Sequence, residues 1–551
     1  MVKIKPNKLR ILAAQINLTV GDVSSNAKKH LDIYKQGQKY GRDLVVMPEL
    51  SLTGYPLEDL LYRPYVIKEA MKMAEEIATQ TDDTTGLLFG CPRIDEDGKV
   101  YNSAYFAFNG EISLVIDKTK LPNSEVFDEK RYFSSGTGSG VVGSFKGFAL
   151  GIAICEDIWH ENVAKDLKNK GAEAILSMNA SPFQLNKYKS RKKVIKQRTV
   201  DTDLPVLYLN LVGGQDELVF DGQSFTWDPR NNSPTNIQPF CEESIFEVTL
   251  KRNEKGCYFK RGVIAEEPIM EEQVYKVAVL GTRDYFHKNG FTQAVLGLSG
   301  GVDSALVLAI IVDALGHNNI TSIMMPYEYT ADTSQEDAAI IAKNFNVKYL
   351  VAPIHEVVEA FIKLLTAIGK KPEGVTLENI QARVRGVTLM AISNNDGSMV
   401  SSTGNKSENL TGNCTLYGDM NGGFNPLKDM PKTLVFKLCN WLNTTGKGEL
   451  IPKRIIERPP SAELGPNQLD TDTLPDYDIL DPILELFVEK NMGVDEIVDQ
   501  GFEAEIVKAI MNRVTQNEFK RRQAPPGIKI TERSITKADW RLPLTNGFKI
   551  K

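Results

Sequence analysis

Apolar residues fall into short, dense runs separated by polar stretches of helical spacing. Residues 9–16, 44–47, 87–90, 103–108, 112–116 and 148–154 predict strands, and 26–40 predicts a helix. This mixture is an α/β layer pattern over about residues 8–248. Further on, a helix over 271–287 leads into the β-prone run 294–298. Ser299-Gly300-Gly301-Val302-Asp303-Ser304 follows, and then an apolar helix begins. A strand over 320–325 and helices over 333–344 and 356–368 continue the alternation. The last helix carries Val357, Phe361, Leu364, Leu365 and Ile368 on one face. Strand and helix in turn predict a parallel, doubly wound sheet, with ligands at the C-terminal strand ends.

A chain of 551 residues holds more than one core. Polarity changes after residue 242, where charged residues alternate with isolated apolar ones. We read domains at 1–245 and 273–551, joined by a linker at 246–272. A net charge of −6 argues against a nucleic-acid partner. The basic opening residues run into an apolar stretch broken by Gln15 and Asn17, which reads as a strand and not as a signal peptide. No apolar run of about 20 residues exists, so no membrane partner is expected. The six cysteines lack CxxC spacing, which disfavours a metal centre or a disulfide framework and points to a reducing cytoplasm.

Three strand ends in the first half carry unusual chemistry. Glu49 follows the apolar run 44–47, Lys118 and Lys120 end a second strand, and Cys155 ends a third. A thiol is a few per cent ionised at neutral pH and needs a base, which Glu49 supplies. A lysine stabilises the oxyanion of an amide under attack. In the second half, a strand–turn–helix with two glycines forms an anion cradle, with unpaired helix N–H groups facing the ligand. It has no lysine, so it is not the GxxxxGK[ST] loop. Asp303 fits a phosphate cradle if a divalent cation bridges it to the phosphates, and Glu408 after the strand near Val400 is a second carboxylate for that cation.

The 299–304 run resembles the SGGxDS loop of ATP pyrophosphatases. The PEL, DKxKLPN and ICEDIW stretches resemble the nitrilase superfamily, which implies Glu49 as base, Lys118 as oxyanion-stabilising lysine and Cys155 as nucleophile. Residues 121–133 resemble the glutaminase segment of glutamine-dependent NAD synthetases, departing from it at Ser124-Glu125, where Tyr-Gly is common. Blocks at 179–183, 378–385, 400–408, 418–428, 459–464 and 517–543 extend that resemblance over nearly the whole chain. It implies a nitrilase-like αββα sandwich followed by a Rossmann-like, parallel-sheet ATP-pyrophosphatase domain. Ser124, Ser181 and Lys187 would bind glutamine. Leu296, Gly297, Leu298, Ser299, Gly300, Gly301, Val302, Asp303, Ser304 and Thr403 would bind ATP. Asn379, Glu408 and Lys520 would contact deamido-NAD, and Asp303 and Glu408 would hold Mg2+, leaving Glu408 with two roles. ATP and glutamine are then co-substrates with no prosthetic group, ammonia passes between the halves by a shielded route, and the enzyme is a homo-oligomer. The alternatives are an amidase whose second half only binds nucleotide, which pyrophosphate release dependent on an acceptor acid would argue against, and a nucleotide sensor with dead sites, which intact Glu49, Lys118, Cys155 and Asp303 disfavour.

Overall fold

The computed structural model describes residues 7–550 apart from Ser139, Lys447, Asn467, Lys537 and Ala538, with the backbone alone at Val141, Val142 and Ser144. Residues 1–6, read above with the first strand, lie outside them. The chain divides into two compact units, one through Ile269 and one from Met270.

Two sheets stack in the first unit. One runs in the order 256–259, 244–253, 8–15, 44–46, 86–94, 100–108, 111–117; the other runs 236–237, 225–227, 206–210, 174–179, 148–154, 140–145. Successive side chains of a strand point to opposite faces. Leu9, Ile11, Ala13, Leu44 and Val46 therefore meet Leu150, Ile152, Ile154 and Leu176 between the sheets. Leu12, Ala14, Val45 and Met47 point outward beneath helices Val23–Lys39 and Pro64–Ala78. The second sheet is covered likewise by Glu161–Asn169 and Lys187–Thr202. This is the expected αββα sandwich, and burial on both faces explains why its strands read as unbroken apolar runs.

The stretch 246–272 corrects the reading of a linker. Strand Ser244–Asn253 pairs antiparallel with the first strand, from Lys8↔Lys251 to Gln15↔Ser244, and then with Gly256–Phe259. Phe246, Val248 and Leu250 are buried. The alternation taken for linker polarity is the period of two of a half-buried strand.

The second unit holds a four-stranded parallel sheet, 348–351, 320–324, 294–297, 399–401. Helix Val302–Leu315 is buried almost all round, which accounts for its lack of a polar stripe. Helices Tyr477–Val488 and Ala504–Gln516 close a separate apolar cluster with Leu410 and Trp540. On helix His355–Ala367 and just past it, Val357, Phe361, Leu364 and Ile368 are exposed, and Val358 is the buried residue.

Candidate active sites

Glu49, Lys118 and Cys155 come from three strand ends in two different sheets, and all three are buried. Lys118 Nζ donates to Glu49 Oε1 at 2.7 Å and to Glu129 Oε1 at 2.9 Å. Lys120 makes no such contact through its side chain. Its backbone N–H and that of Thr119 donate instead to Asp157, whose other oxygen accepts Ile154 N–H. One carboxylate thus ties the lysine segment to the turn bearing Cys155. Cys155 has φ +46°, a strained conformation for a non-glycine residue that a tightly held site sustains.

The electrostatics select a mechanism for the thiol. Burial and then the Glu49 charge push Cys155 well above its ordinary 9, against the pull of Lys118 and the Ala180 amide. The resting sulfur is therefore protonated, and its proton must leave as it attacks. Burial alone would discharge Lys118, but Glu129 and then Glu49 outweigh it and hold the ammonium charged. Glu129 is pushed up to about 7, chiefly by burial. In the sequence Glu129, flanked by Asp128 and Lys130, reads as one charge among several.

Of the glutamine candidates, Ser181 is buried, and its Oγ accepts from Arg191 Nε at 3.0 Å. Arg191 is itself fixed by Asp221 at 2.7 Å. Lys187 begins its helix, lies 5.4 Å from the Trp159 ring centroid and pairs with Glu125 at 3.5 Å, so it is not a free surface charge. Ser124 lies on an exposed loop. Its neighbour Glu125 has φ +54°, a conformation that glycine adopts without strain.

In the second unit a cleft of about 310 Å³ opens at the C-terminal end of the sheet. Gly297, Leu298, Ser299, Gly301, Val302, Asp303, Ser304 and Thr403 line it. Leu296 does not reach it, being wholly buried in the strand. Gly300 has φ +80°, and a Cβ there would collide with Ser334 O. Its role is to let the loop turn rather than to face the cleft. Helix Val302–Leu315 has no side-chain cap, so its first amides stay open to an anion.

Lys432 is the principal residue missed here. At the start of an apolar helix it reads as solvated, yet it is buried, ion-paired to Asp303 and 3.5 Å from Glu408 Oε1. Asn405 joins the two loops, giving Nδ2 to Asp303 at 3.0 Å while its Oδ1 caps the helix of Glu408. Burial, then repulsion from Asp303, pushes Glu408 up to about 8, because Lys432 is closer to Asp303. Among the described residues no cluster of three or more acidic, His or Cys ligands occurs. Asp303 and Glu408 both offer oxygen atoms to the cleft beside the 299–304 loop, the donor type a Mg2+ ion would take.

The raised carboxyl has a measurable consequence. A carboxyl whose folded pKa lies above its ordinary 4.5 stabilises the fold fully below about 4.5 and loses that contribution as pH rises through about 8. Unliganded Glu408→Gln should match the parent in Tm at pH 4.5 and exceed it by a few degrees at pH 8.5. Equal Tm values at pH 8.5 would refute the strain.

Asn379 and Lys520 do not line the cleft; they hold the segment that does. Lys520 Nζ donates to Gly412 O and Cys414 O at 2.7 and 2.8 Å, and Asn379 Oδ1 accepts from Thr415 at 2.8 Å. Asn413, Cys414, Gly418 and Asp419 are cleft residues. Next to Lys520, Arg521 is buried against Glu518 and the Leu410 carbonyl.

The carbon-nitrogen hydrolase family model matches residues 10–243, and the NAD synthase model matches 274–524. A glutamine-dependent NAD(+) synthetase of Acinetobacter baylyi is 41% identical over 546 residues, covering 98% of this chain and 99% of that protein. The one of Rhodobacter capsulatus is 42% identical over 553 residues, covering 98% and 99%. The solved glutamine-dependent NAD+ synthetase of Acinetobacter baumannii, in complex with ADP, is 39% identical with a TM-score of 0.79, covering 99% and 100% of the two chains. Fold, sites and relatives define a two-part enzyme, a carbon–nitrogen hydrolase fused to a nucleotide-dependent synthase. The chain belongs to the glutamine-dependent NAD+ synthetase family. It is a ligase that forms a carbon–nitrogen bond.

Proposed function

We propose that the chain amidates deamido-NAD+ to NAD+ with ATP, using ammonia cut from glutamine. In the first site Cys155 Sγ attacks the glutamine carboxamide carbon while its proton passes to Glu49. Lys118, held charged, faces the oxygen that becomes an oxyanion. Glu49 returns the proton to the departing amine, and water hydrolyses the thioester to glutamate. Ser124, Ser181 and Lys187 hold the substrate. The convergence of Glu49 and Lys118 on one buried thiol is the observation that carries this reading.

In the second site the loop amides and Ser299, Ser304 and Thr403 hold the triphosphate. The nicotinate carboxylate attacks the α-phosphorus, pyrophosphate leaves, and ammonia then displaces AMP. Asn379, Glu408 and Lys520 serve the deamido-NAD+ side, the first and last by holding the 412–415 segment. Asp303 and Glu408 would hold Mg2+, which when bound neutralises phosphate oxygens.

A homo-oligomer belongs to the same proposal and is supported by the exposed apolar residues Val357, Phe361, Leu364 and Ile368. A cytoplasmic setting is supported by the requirement that Cys155 stay a thiol.

One assay tests the reaction: ATP, deamido-NAD+ and amide-15N glutamine in the presence of excess unlabelled ammonium. AMP, pyrophosphate and glutamate should each form in step with NAD+, and the new amide should carry 15N. Pyrophosphate release without deamido-NAD+ would overturn the coupled reaction, and label diluted in proportion to the free pool would overturn shielded transfer.

A further inference from the structure

Asn102 lies within strand Val100–Phe108 and is wholly buried. Its main-chain oxygen accepts Lys118 N–H at 2.8 Å. Its Nδ2 donates to Glu49 Oε1 at 2.8 Å, the oxygen that also accepts Lys118 Nζ. Glu49 Oε2 accepts only the Ala180 amide among the hydrogen bonds described, at 2.8 Å. That amide also acts on Cys155. The two carboxylate oxygens are therefore unlike: Oε1 is pinned by two side-chain donors, and Oε2 shares the Ala180 amide with the thiol.

The amide orientation of Asn102 is fixed by chemistry, because only its nitrogen can face a carboxylate oxygen. Its Oδ1 is consequently buried with no hydrogen-bond partner among the described residues. Buried polar atoms are normally paired, and an orphan weakens the fold. Its donor end is engaged on the Glu49 carboxylate.

We infer that Asn102 is a positioning residue for glutamine hydrolysis: it locks Glu49 Oε1 so that Oε2 receives the Cys155 proton. The S–C bond forms as that proton moves to Oε2, and the same proton leaves with the amine as the C–N bond breaks. This rests on the reading of Glu49 as the base. Removing a donor from a carboxylate makes it easier to protonate, and placing a second carboxylate beside it does so more strongly.

The test compares Asn102→Ser, Asn102→Ala and Asn102→Asp, with Glu49→Gln as reference. Glutamine kcat should fall about 10-fold for Ser, which keeps a hydroxyl donor, and about 100-fold for Ala, with KM within about twofold. The low-pH limb of the glutaminase profile should move to higher pH in the order Ser, Ala, Asp, by about one unit for Ala. Tm is measured for each variant, which separates a loss of folding from a misplaced Glu49. An unmoved limb, or losses that track a falling Tm, would overturn the inference. If Glu49→Gln itself keeps glutaminase turnover, the base assignment fails first; if it is dead while the limbs stay fixed, only the role of Asn102 falls.

Discussion

Cys155→Ala should abolish NAD+ synthesis from glutamine, by at least about 10³-fold, while synthesis from ammonium salts persists. Three observations set the size and selectivity of the loss. The sulfur is the only atom removed, and no other thiol is placed within reach of Glu49 and Lys118 by the described contacts. Cys155 already holds φ +46°, so alanine inherits its backbone strain without adding to it. Its neighbours stay tied, because the Asp157 bonds to Ile154, Thr119 and Lys120 involve no cysteine atom. The measurement is NAD+ formation with each nitrogen donor near pH 8.5, where more free ammonia is available. Loss of both activities would mean that the two halves are not chemically independent.

What was legible in the sequence was what lies at strand ends. Glu49, Lys118, Cys155 and the 299–304 loop each close an apolar run, so their location followed from the hydrophobic pattern alone. What was not legible comes from elements far along the chain. Glu129, Lys432 and Asn102 are polar residues without a motif to single them out, and only the fold brings each against a carboxylate or ammonium. The hairpin at 244–259 was lost for a related reason. Its alternating polarity is what one buried face produces, and single-sequence polarity does not separate that from a charged connection. Asn379 and Lys520, which the resemblance gives as deamido-NAD contacts, hydrogen-bond to the 412–415 segment and are not among the residues lining the cleft.

Asp303→Ala should remove synthesis from either nitrogen donor, by roughly 10²–10³-fold, while hydrolysis of glutamine to glutamate continues. The carboxylate stands in the first turn of helix Val302–Leu315 and lines the cleft beside the 299–304 loop. It orders the cleft from two sides, since it takes the Lys432 ammonium on one oxygen and Asn405 Nδ2 on the other. Without it Lys432 keeps the longer contact to Glu408 and its place over the Tyr477 ring, and Asn405 loses the bond that joins the 403–408 segment to the loop. Asp303→Asn separates geometry from charge. An amide of the same shape can keep one of these contacts, but it brings no negative charge to balance an ammonium or a divalent cation. If charge is what matters, Asn fails about as badly as Ala, and raising the Mg2+ concentration restores neither. Ammonium-driven synthesis at near-parental rates in Asp303→Ala would exclude the carboxylate from the metal and phosphate chemistry assigned to it, and with it the reading of 299–304 as an ATP cradle built around that charge.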